Sequence, residues 1–230
     1  PEFSEYLSQT FAIDYIQNIP IMKLRSEPLN SLTNRILKRG FDVVFSSIIV
    51  ILLFSWLFPI IALIIKLTSK GPVFFVQQRT GKDGKAFNCF KFRSMTVNAA
   101  SDVQQATKND ARVTPFGAFM RKTSIDELPQ IFNVLLNNMS LVGPRPHMLK
   151  HTDEYRVLVD KFMVRHFAKP GVTGWAQING FRGETKYIRD MENRAVADIW
   201  YIENWSFLLD VKIVVNTAWS MFFKKDENAF

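Results

Sequence analysis

An uncharged apolar run of 23 residues, 43–65, constrains the fold of this chain more than any other feature of its sequence. At about 1.5 Å per residue, a straight helix of this length would be roughly 35 Å long, which is enough to cross the hydrocarbon core of a bilayer. The run therefore predicts a helix that lies in a membrane.

Two features of the run favour a helix that enters the membrane and turns back. Pro59 lies within it, where the loss of a helical hydrogen bond and the ring clash would cost about 3 kcal/mol and kink the helix. Both flanks are basic, with Arg35, Lys38, Arg39, Lys66 and Lys70. A full crossing would place one basic cluster outside, against the positive-inside tendency. Hydropathy alone leaves an ordinary transmembrane helix open, but we expect a re-entrant anchor.

The rest of the chain has the pattern of an α+β fold, mainly helical with one short antiparallel β-hairpin. Residues 73–79 and 86–92 flank a Gly-Lys-Asp-Gly turn, which predicts this hairpin. Apolar residues between 128 and 139 recur at helical spacing, which predicts a helix whose N-terminus lies close to Ser124. A further helix is expected over residues 148–167.

The C-terminal residues 190–225 are rich in Trp and Phe mixed with Lys and Asp. This mixture suits amphipathic helices that lie in the membrane interface. An ordinary core-facing helix is the alternative, and the anchor upstream favours the interface.

The chain carries 29 Lys+Arg against 21 Asp+Glu, a formal charge of +8, which favours an anionic partner. The basic residues are dispersed and form no recognisable nucleic-acid motif, so we expect no nucleic-acid partner. Attraction to anionic lipids explains the charge more simply. A non-enzymatic, basic, membrane-tethered scaffold remains an alternative.

The turn Ser124-Ile125-Asp126-Glu127 is open to two interpretations. Ser at the N-cap and Glu three residues later form a capping box, and acidic residues in the first turn complement the helix dipole. A carboxylate here would also stay ionised, with its pKa below an ordinary value of about 3.9, and could act as a nucleophile. Helix N-termini attract phosphate as well, so one geometry can serve both roles.

The residues around this turn are unusually cationic for a simple cap. They are Lys91, Arg93, Arg121, Lys122 and Arg145. A diphosphate needs such groups, because charge builds on its oxygens as phosphoryl transfer proceeds. The two prolines that bracket Arg145 would hold its guanidinium on a stiff turn.

A zinc site is the competing enzymatic interpretation. His147 and His151 are four residues apart on an expected helix, a spacing that can bind zinc. A membrane-bound zinc hydrolase would need a third ligand, for which Asp153, Glu154 and His166 are the candidates. The chain does not contain the HExxH pattern.

Five ordered motifs resemble the signatures of the bacterial monotopic phosphoglycosyl transferases, a bacterial sugar transferase family. They are KFRSM at 91–95, Arg121 followed by TSIDELPQ at 123–130, LVGPRP at 141–146, KPGVTGWAQ at 169–177 and DIWY at 198–201. The resemblance covers about residues 35–225 in consistent order. It implies a re-entrant membrane helix at the bacterial inner membrane, with the active site on its cytoplasmic face.

The resemblance also implies a two-step reaction. Asp126 would attack the sugar-bearing phosphorus of a UDP-sugar, releasing UMP, and undecaprenyl phosphate would then take the sugar phosphate from the aspartate. Glu127 would help to hold Mg²⁺ against the diphosphate. The residues that would form the phosphate-binding site are Lys91, Arg93, Arg121 and Arg145, with Asp198 as a further acidic member.

The same resemblance implies three regions and a pathway. Residues 1–34 resemble the linker from an upstream region that this sequence lacks, 35–70 the re-entrant anchor, and 71–230 a cytoplasmic catalytic domain with C-terminal interfacial helices. Larger members start exopolysaccharide, capsule or lipopolysaccharide O-antigen synthesis with glucose or galactose phosphate. They also suggest a homodimer that contacts inner-membrane lipids.

Overall fold

The computed structural model describes residues 11–16, 19–24, 27–96, 110–183 and 187–223, and it is mainly helical with short strands. The helices are α1 Leu32–Ile49, α2 Ser55–Thr68, α3 Pro115–Thr123, α4 Gln130–Leu135, α5 Leu149–Leu158, α6 Trp175–Ile178, α7 Ile188–Glu203 and α8 Phe207–Phe223. The strands are β1 Phe11–Ile16, β2 Ile19–Leu24, β3 Phe74–Thr80, β4 Ala86–Phe92, β5 Ser140–Val142 and β6 Gly171–Thr173.

The apolar run folds into one long helix. A π-helical turn at Val50–Phe54 joins α1 to α2, and Pro59 lies inside α2. The combined helix, Leu32–Thr68, has 37 residues and is long and apolar enough to cross a membrane. Only 17% of its most apolar window is buried, so most of this apolar surface lies outside the core. The apolar face that it leaves exposed is available to lipid.

The polar residues of α1 bind the strand β5. Lys38 Nζ donates to the carbonyl oxygen of Val142 at 3.0 Å and to Asp210 Oδ2 on α8 at 2.7 Å. One turn later, Asp42 Oδ1 accepts hydrogen bonds from Ser140 Oγ and from the backbone N–H of Leu141, both at 3.0 Å. The N-terminal half of the long helix is therefore bonded to the strand that leads into Arg145.

The C-terminal half of the long helix packs against β4 and α3. Ile61 and Ile65 form a buried cluster with Phe92 and Met120. Just past the end of α2, the guanidinium of Arg93 donates to the carbonyl oxygens of Ser69 and Lys70, both at 2.8 Å. Both halves of the helix thus contact the same domain.

The predicted hairpin is confirmed. Strands β3 and β4 pair antiparallel, from Phe74 opposite Phe92 to Thr80 opposite Ala86. Asp83 and Gly84 turn the chain between them with positive φ angles of 55° and 73°, the region that Gly and Asp tolerate best.

The structure contains two strand pairs that the sequence pattern did not predict. Strands β1 and β2 form a second antiparallel hairpin, and β5 and β6 pair in parallel. Each strand of the parallel pair has only three residues, too few to show a periodic pattern.

Two predicted helices are shorter than expected. The helix expected to run from near Ser124 to residue 139 consists of a 3₁₀ turn, Ile125–Glu127, and of α4, which ends at Leu135. Asn137, with φ 69°, closes α4 in a left-handed conformation. The helix expected over 148–167 stops at Leu158 and continues, after left-handed Lys161, as the 3₁₀ helix Phe162–Phe167.

The two C-terminal helices differ in their exposure. Helix α7 buries Met191, Ala195 and Tyr201 on one face and exposes Val196 and Trp200 on the other. Helix α8 buries Asp210 and Ile213 on one face. Its opposite face exposes Leu208, Val215 and Trp219.

The buried Lys38–Asp210 pair gives a stability prediction. We expect Lys38→Met to destabilise the protein by about 3–5 kcal/mol, because Asp210 keeps a buried charge without its cation. The double variant Lys38→Met/Asp210→Asn should lose less stability than Lys38→Met, since both charges are then absent. Thermal unfolding in detergent measures the stability of the two variants, and Lys66→Met, at an exposed position of the same long helix, is the control. A double variant at least as unstable as Lys38→Met alone would contradict the prediction.

Candidate active site

Ser124 ends one helix and does not cap the next. It closes α3 in a left-handed conformation, with φ 57°, and its side chain makes no cap hydrogen bond. Its Oγ instead accepts a hydrogen bond of 2.5 Å from Arg182 Nη2. The predicted capping box is therefore wrong, because the side chain of Glu127 is held by other partners.

Glu127 is the centre of an ion cluster. Lys91 Nζ and Arg145 Nη2 each lie 2.8 Å from Glu127 Oε1, and Arg145 Nη1 lies 3.2 Å from Oε2. Arg182 Nη2 is 3.9 Å from Oε2. The hairpin strand β4 supplies Lys91, and the stiff turn after β5 supplies Arg145. Two elements far apart in sequence thus converge on one carboxylate.

The cluster keeps Glu127 ionised. Burial by itself would raise the pKa of Glu127, but the charges of Arg145 and Lys91 and the Arg145 hydrogen bond hold this pKa well below its ordinary value. Charge-assisted hydrogen bonds of this kind stabilise an anion that burial would otherwise neutralise.

Asp126 has the opposite environment. Burial, followed by the negative charge of Glu127, raises the pKa of Asp126 to about 6, against the opposing effects of Lys91, Arg121 and Arg145. Within the described part of the chain, its carboxylate makes no hydrogen bond or ion pair. The expectation that a helix N-terminus lowers the pKa of Asp126 is wrong, because burial and the charge of Glu127 raise it. With a pKa near 6, about nine-tenths of Asp126 is still ionised at pH 7.

The structure brings some of the predicted phosphate-binding residues to the pair. Lys91 and Arg145 contact Glu127 directly. Arg121 donates from Nε to Ser94 Oγ at 2.9 Å, and its charge acts on Asp126.

Arg93 and Asp198 have other partners. Arg93 is 5% exposed and donates to Ser69 and Lys70 at the end of α2. Asp198 is 1% exposed and accepts a 2.6 Å hydrogen bond from Arg165 Nη2. The same Arg165 nitrogen donates to the carbonyl oxygen of Arg145 at 2.9 Å. These contacts place Asp198 behind the Arg145 turn, where it supports that turn through Arg165.

The two histidines are unsuited to a zinc ion. His147 is buried against the guanidinium of Arg165, with Arg165 Nη1 2.8 Å from its Nδ1. Burial and then the charges of Arg165 and Arg194 lower the pKa of His147 well below its ordinary value, and they would repel a metal cation in the same way. Among the described residues, no group of three His, Cys, Asp or Glu side chains is placed to hold a metal ion.

The donor set does fit one hard cation shared with a substrate. Mg²⁺ is commonly bound by one or two carboxylates together with phosphate oxygens of a substrate. Glu127 Oε2 accepts one hydrogen bond, of 3.2 Å, and a carboxylate oxygen has room for two contacts. Glu127 could therefore contribute one metal ligand while it keeps its contact with Lys91.

Arg182 is the site residue that the sequence did not reveal. It belongs to no motif that marked the site, and it reaches Ser124 and Glu127 from the segment between α6 and α7. A contact between loops 58 positions apart leaves no periodic signal in the sequence.

The chain belongs to the bacterial sugar transferase family, whose model matches residues 33–224. It is 48% identical over 228 residues to a UDP-glucose:undecaprenyl-phosphate glucose-1-phosphate transferase of Klebsiella pneumoniae, covering 96% of this chain and 49% of that protein. Its identity to the protein of the same name in Escherichia coli (strain K12) is 49% over 214 residues, which is 93% of this chain and 46% of that protein. The chain thus spans about half the length of these two relatives.

A shorter relative matches over nearly its whole length. The exopolysaccharide production protein PSS of Rhizobium leguminosarum bv. phaseoli is 43% identical over 188 residues, which cover 80% of this chain and 94% of that protein. The region that holds the Asp126–Glu127 pair and its cations is therefore the part that short and long relatives share.

We expect replacement of the two carboxylates by amides to change the stability of the protein in opposite directions. Folding raises the pKa of Asp126 from 3.8 to about 6, so the stability that its protonated form gives at low pH is lost as the pH rises through 6. Asp126→Asn, neutral at every pH, should therefore stabilise the protein at pH 8 by about 1–3 kcal/mol, and little at pH 3.5.

Glu127→Gln is the matched control for this measurement. The pKa of Glu127 is lowered by folding, so its carboxylate contributes stability above its unfolded pKa, and the amide should destabilise the protein at pH 8. Thermal unfolding at both pH values gives the comparison. Equal shifts of the same sign in the two variants would contradict this account of the pair.

Proposed function

We propose that this chain is the catalytic part of an undecaprenyl-phosphate sugar phosphotransferase. It transfers glucose 1-phosphate from UDP-glucose to undecaprenyl phosphate and releases UMP, with UDP-galactose as the second donor to be tested. The observation that carries the proposal is the asymmetry of the acidic pair. Glu127 is held ionised by two cations, whereas Asp126 lies beside it without a hydrogen-bond partner among the described residues.

The asymmetry supports different roles for the two carboxylates. An ionised, unbonded Asp126 oxygen can attack the sugar-bearing phosphorus, forming an O–P bond while the bond to the UMP oxygen breaks and UMP leaves with the electron pair. An oxygen of undecaprenyl phosphate then attacks the same phosphorus and releases the Asp126 carboxylate. Lys91, Arg121 and Arg145 stabilise the charge that builds on the phosphate oxygens in both steps.

Glu127 would hold Mg²⁺ together with the substrate diphosphate, and the ion, when bound, would neutralise charge on the phosphate oxygens. Lys91 and Arg145 fix the orientation of this carboxylate before any ligand arrives. Such preorganisation reduces the reorganisation that binding requires.

The acceptor lipid explains why the site is joined to an apolar helix. We place residues 35–70 in the cytoplasmic leaflet of the bacterial inner membrane as a re-entrant anchor. Support comes from the contacts that both halves of the helix make with one domain, through Lys38 and Asp42 at one end and Ser69 and Lys70 at the other. A straight crossing would carry one of these ends to the far side.

Helix α8 would lie in the interface beside the anchor. Its exposed face carries Leu208, Val215 and Trp219, an apolar surface with an aromatic residue of the kind found at headgroup depth. The catalytic pair then faces the cytoplasm, where UDP-sugars are available, at the depth of a lipid phosphate. The product would enter exopolysaccharide, capsule or O-antigen synthesis, and the enzyme would act as a homodimer.

The transfer reaction is tested by UMP release from labelled UDP-glucose and UDP-galactose, with undecaprenyl phosphate and Mg²⁺ in detergent. We expect Asp126→Asn to abolish release, because an amide cannot attack phosphorus. Asp153→Asn, an exposed acid on α5 with 73% side-chain exposure, is the matched control. UMP release that survives in Asp126→Asn would exclude this residue as the nucleophile.

The covalent step has its own readout in the same assay. With the sugar labelled and the acceptor omitted, the native chain should keep label after denaturation, and added undecaprenyl phosphate should remove it. Below pH 6 both signals should weaken, because Asp126, with its pKa of about 6, becomes protonated there. Label that binds equally well to Asp126→Asn would place the intermediate on another residue.

The orientation of the anchor is tested by labelling cysteines placed at its two ends. Asn30→Cys and Lys70→Cys in whole cells should both be protected from a membrane-impermeant thiol reagent and become labelled only after lysis. Native Cys89 is 1% exposed and contributes little background. Labelling of one position from outside intact cells would instead establish a crossing helix.

A further inference from the structure

Strand β4 carries Lys91, and one of its edges has no neighbouring strand. Among the strands that the structure describes, β4 pairs with β3 alone. On the paired edge, just past the end of β4, the N–H of Arg93 donates to the carbonyl oxygen of Val73 at 2.9 Å. Because backbone groups alternate between the two edges of a strand, the N–H and carbonyl groups of Asn88 and Phe90 point to the other edge.

The side-chain amide of Asn133 occupies this open edge. Its Oδ1 accepts a hydrogen bond of 2.9 Å from the N–H of Phe90, and its Nδ2 donates to the carbonyl oxygen of Asn88 at 2.7 Å. A neighbouring strand would make the same two bonds, one accepted and one donated. Because a backbone N–H can only donate and a carbonyl oxygen can only accept, the two contacts fix the orientation of the amide. Asn133 is 0% exposed, so water does not compete for these bonds.

The helix that carries Asn133 is held at both of its ends. At its start, the 3₁₀ turn that contains Glu127 leads directly into α4. At its end, the guanidinium of Arg39 on α1 donates to the carbonyl oxygens of Val134 and Leu135, at 2.6 and 2.9 Å. Basic side chains stabilise the C-terminus of a helix in this way. Helix α4 is therefore a fixed link between the acidic pair and strand β4.

These contacts form a closed circuit around one ion pair. The chain runs from Glu127 along α4 to Asn133, and a hydrogen bond then crosses to Phe90. The next residue is Lys91, whose Nζ returns to Glu127 Oε1 at 2.8 Å. Since the bonded N–H lies one residue before Lys91, any shift of β4 relative to α4 changes the distance between the ammonium and the carboxylate. Asn133 thus acts on the position of Lys91 through the backbone of β4.

We propose that Asn133 is a positioning residue for Lys91, and through Lys91 for the phosphate oxygens that the site binds. Its amide replaces a third strand at the point of the β4 edge that lies next to the ion pair. The inference rests on the proposed function for the role of Lys91 at phosphate oxygens. The placement of Lys91 beside Glu127 is tested without any substrate.

Two variants remove the amide. Asn133→Leu keeps a similar side-chain volume and makes neither hydrogen bond. Asn133→Ser leaves room for water to bond the two β4 groups, and it takes the place of the leucine variant in every measurement if that variant does not fold. Val134→Ala, at a buried position of the same helix, is the matched control, because Val134 packs in the core cluster with Ile131 and Met139.

The first measurement follows two groups of the circuit by mass spectrometry in detergent. Hydrogen exchange reports the N–H of Phe90, and acylation by an amine-reactive reagent reports Lys91, whose side chain is 20% exposed. Without the amide, we expect exchange at Phe90 to be about tenfold faster and acylation of Lys91 roughly threefold faster, because the strand edge opens locally. Val134→Ala should leave both rates within about twofold of the native values. Unchanged acylation of Lys91 in a folded Asn133 variant would overturn the inference.

The second measurement is a double-mutant cycle on UMP release from UDP-glucose. Lys91→Met should lower kcat/KM on the order of 100-fold, the usual effect of removing one group that stabilises phosphate charge, and Asn133→Leu should lower it about tenfold. The double variant should lose little more than Lys91→Met, because Asn133 acts through Lys91. Losses that multiply in the double variant, as we expect for Val134→Ala combined with Lys91→Met, would give Asn133 a purely structural role.

The two measurements separate this inference from the proposed reaction. Faster acylation of Lys91 in the Asn133 variants, together with a native chain that releases no UMP, would contradict the proposed function alone. Native UMP release, together with native acylation rates in the Asn133 variants, would contradict the positioning role alone.

Discussion

The rest of the structure depends on keeping the buried Glu127 carboxylate charged. A carboxylate at this depth is stable as an anion only if cations are brought to it with good geometry. Lys91 comes from the hairpin strand β4 and Arg145 from the turn after β5, and each lies 2.8 Å from the same oxygen. The β3–β4 hairpin, the Arg145 turn and the 3₁₀ turn Ile125–Glu127 are therefore held next to one another. Both cations contact Glu127, whereas Asp126 beside it has no hydrogen-bond partner among the described residues. Two acids that are adjacent in sequence therefore differ in their chemistry.

The segments that carry the two cations are hydrogen-bonded to the long apolar helix and to the residues just after it. Lys38 and Asp42 bond to β5 just before the Arg145 turn, and Arg93, two residues after Lys91, bonds to the end of α2. A second layer, formed by Arg165 and Asp198, holds the Arg145 carbonyl from behind. The position of the acidic pair relative to the helix is thus fixed through hydrogen bonds at both ends.

Local signals in the sequence predicted local structure well. The Gly-Lys-Asp-Gly turn gave the hairpin because its backbone conformation depends on the turn residues themselves. Asn137 indicates the end of α4, since Asn tolerates the left-handed conformation that often follows the last turn of a helix. The capping box at Ser124 failed because ion pairs formed through the fold redirect the Glu127 side chain, and the raised pKa of Asp126 follows from burial that one turn of sequence cannot reveal. Arg182 was not predicted because a contact between two loops leaves no periodic pattern in the sequence.

The hydrogen bonds between the apolar helix and the strands have a consequence for how this protein can be handled and how it could have evolved. Removing residues 32–70 would leave the N–H of Leu141 and the Arg93 donors that bond Ser69 and Lys70 without these partners, and Val142 would keep only Tyr201 of its two side-chain donors. Water would have to replace the lost bonds at the edge of the core. The long apolar segment is thus a structural component of the domain and not only a tether. A variant without the apolar segment, made to be handled without detergent, would need new partners for the groups that bond to it. Loss of the segment in evolution would likewise require several coordinated substitutions.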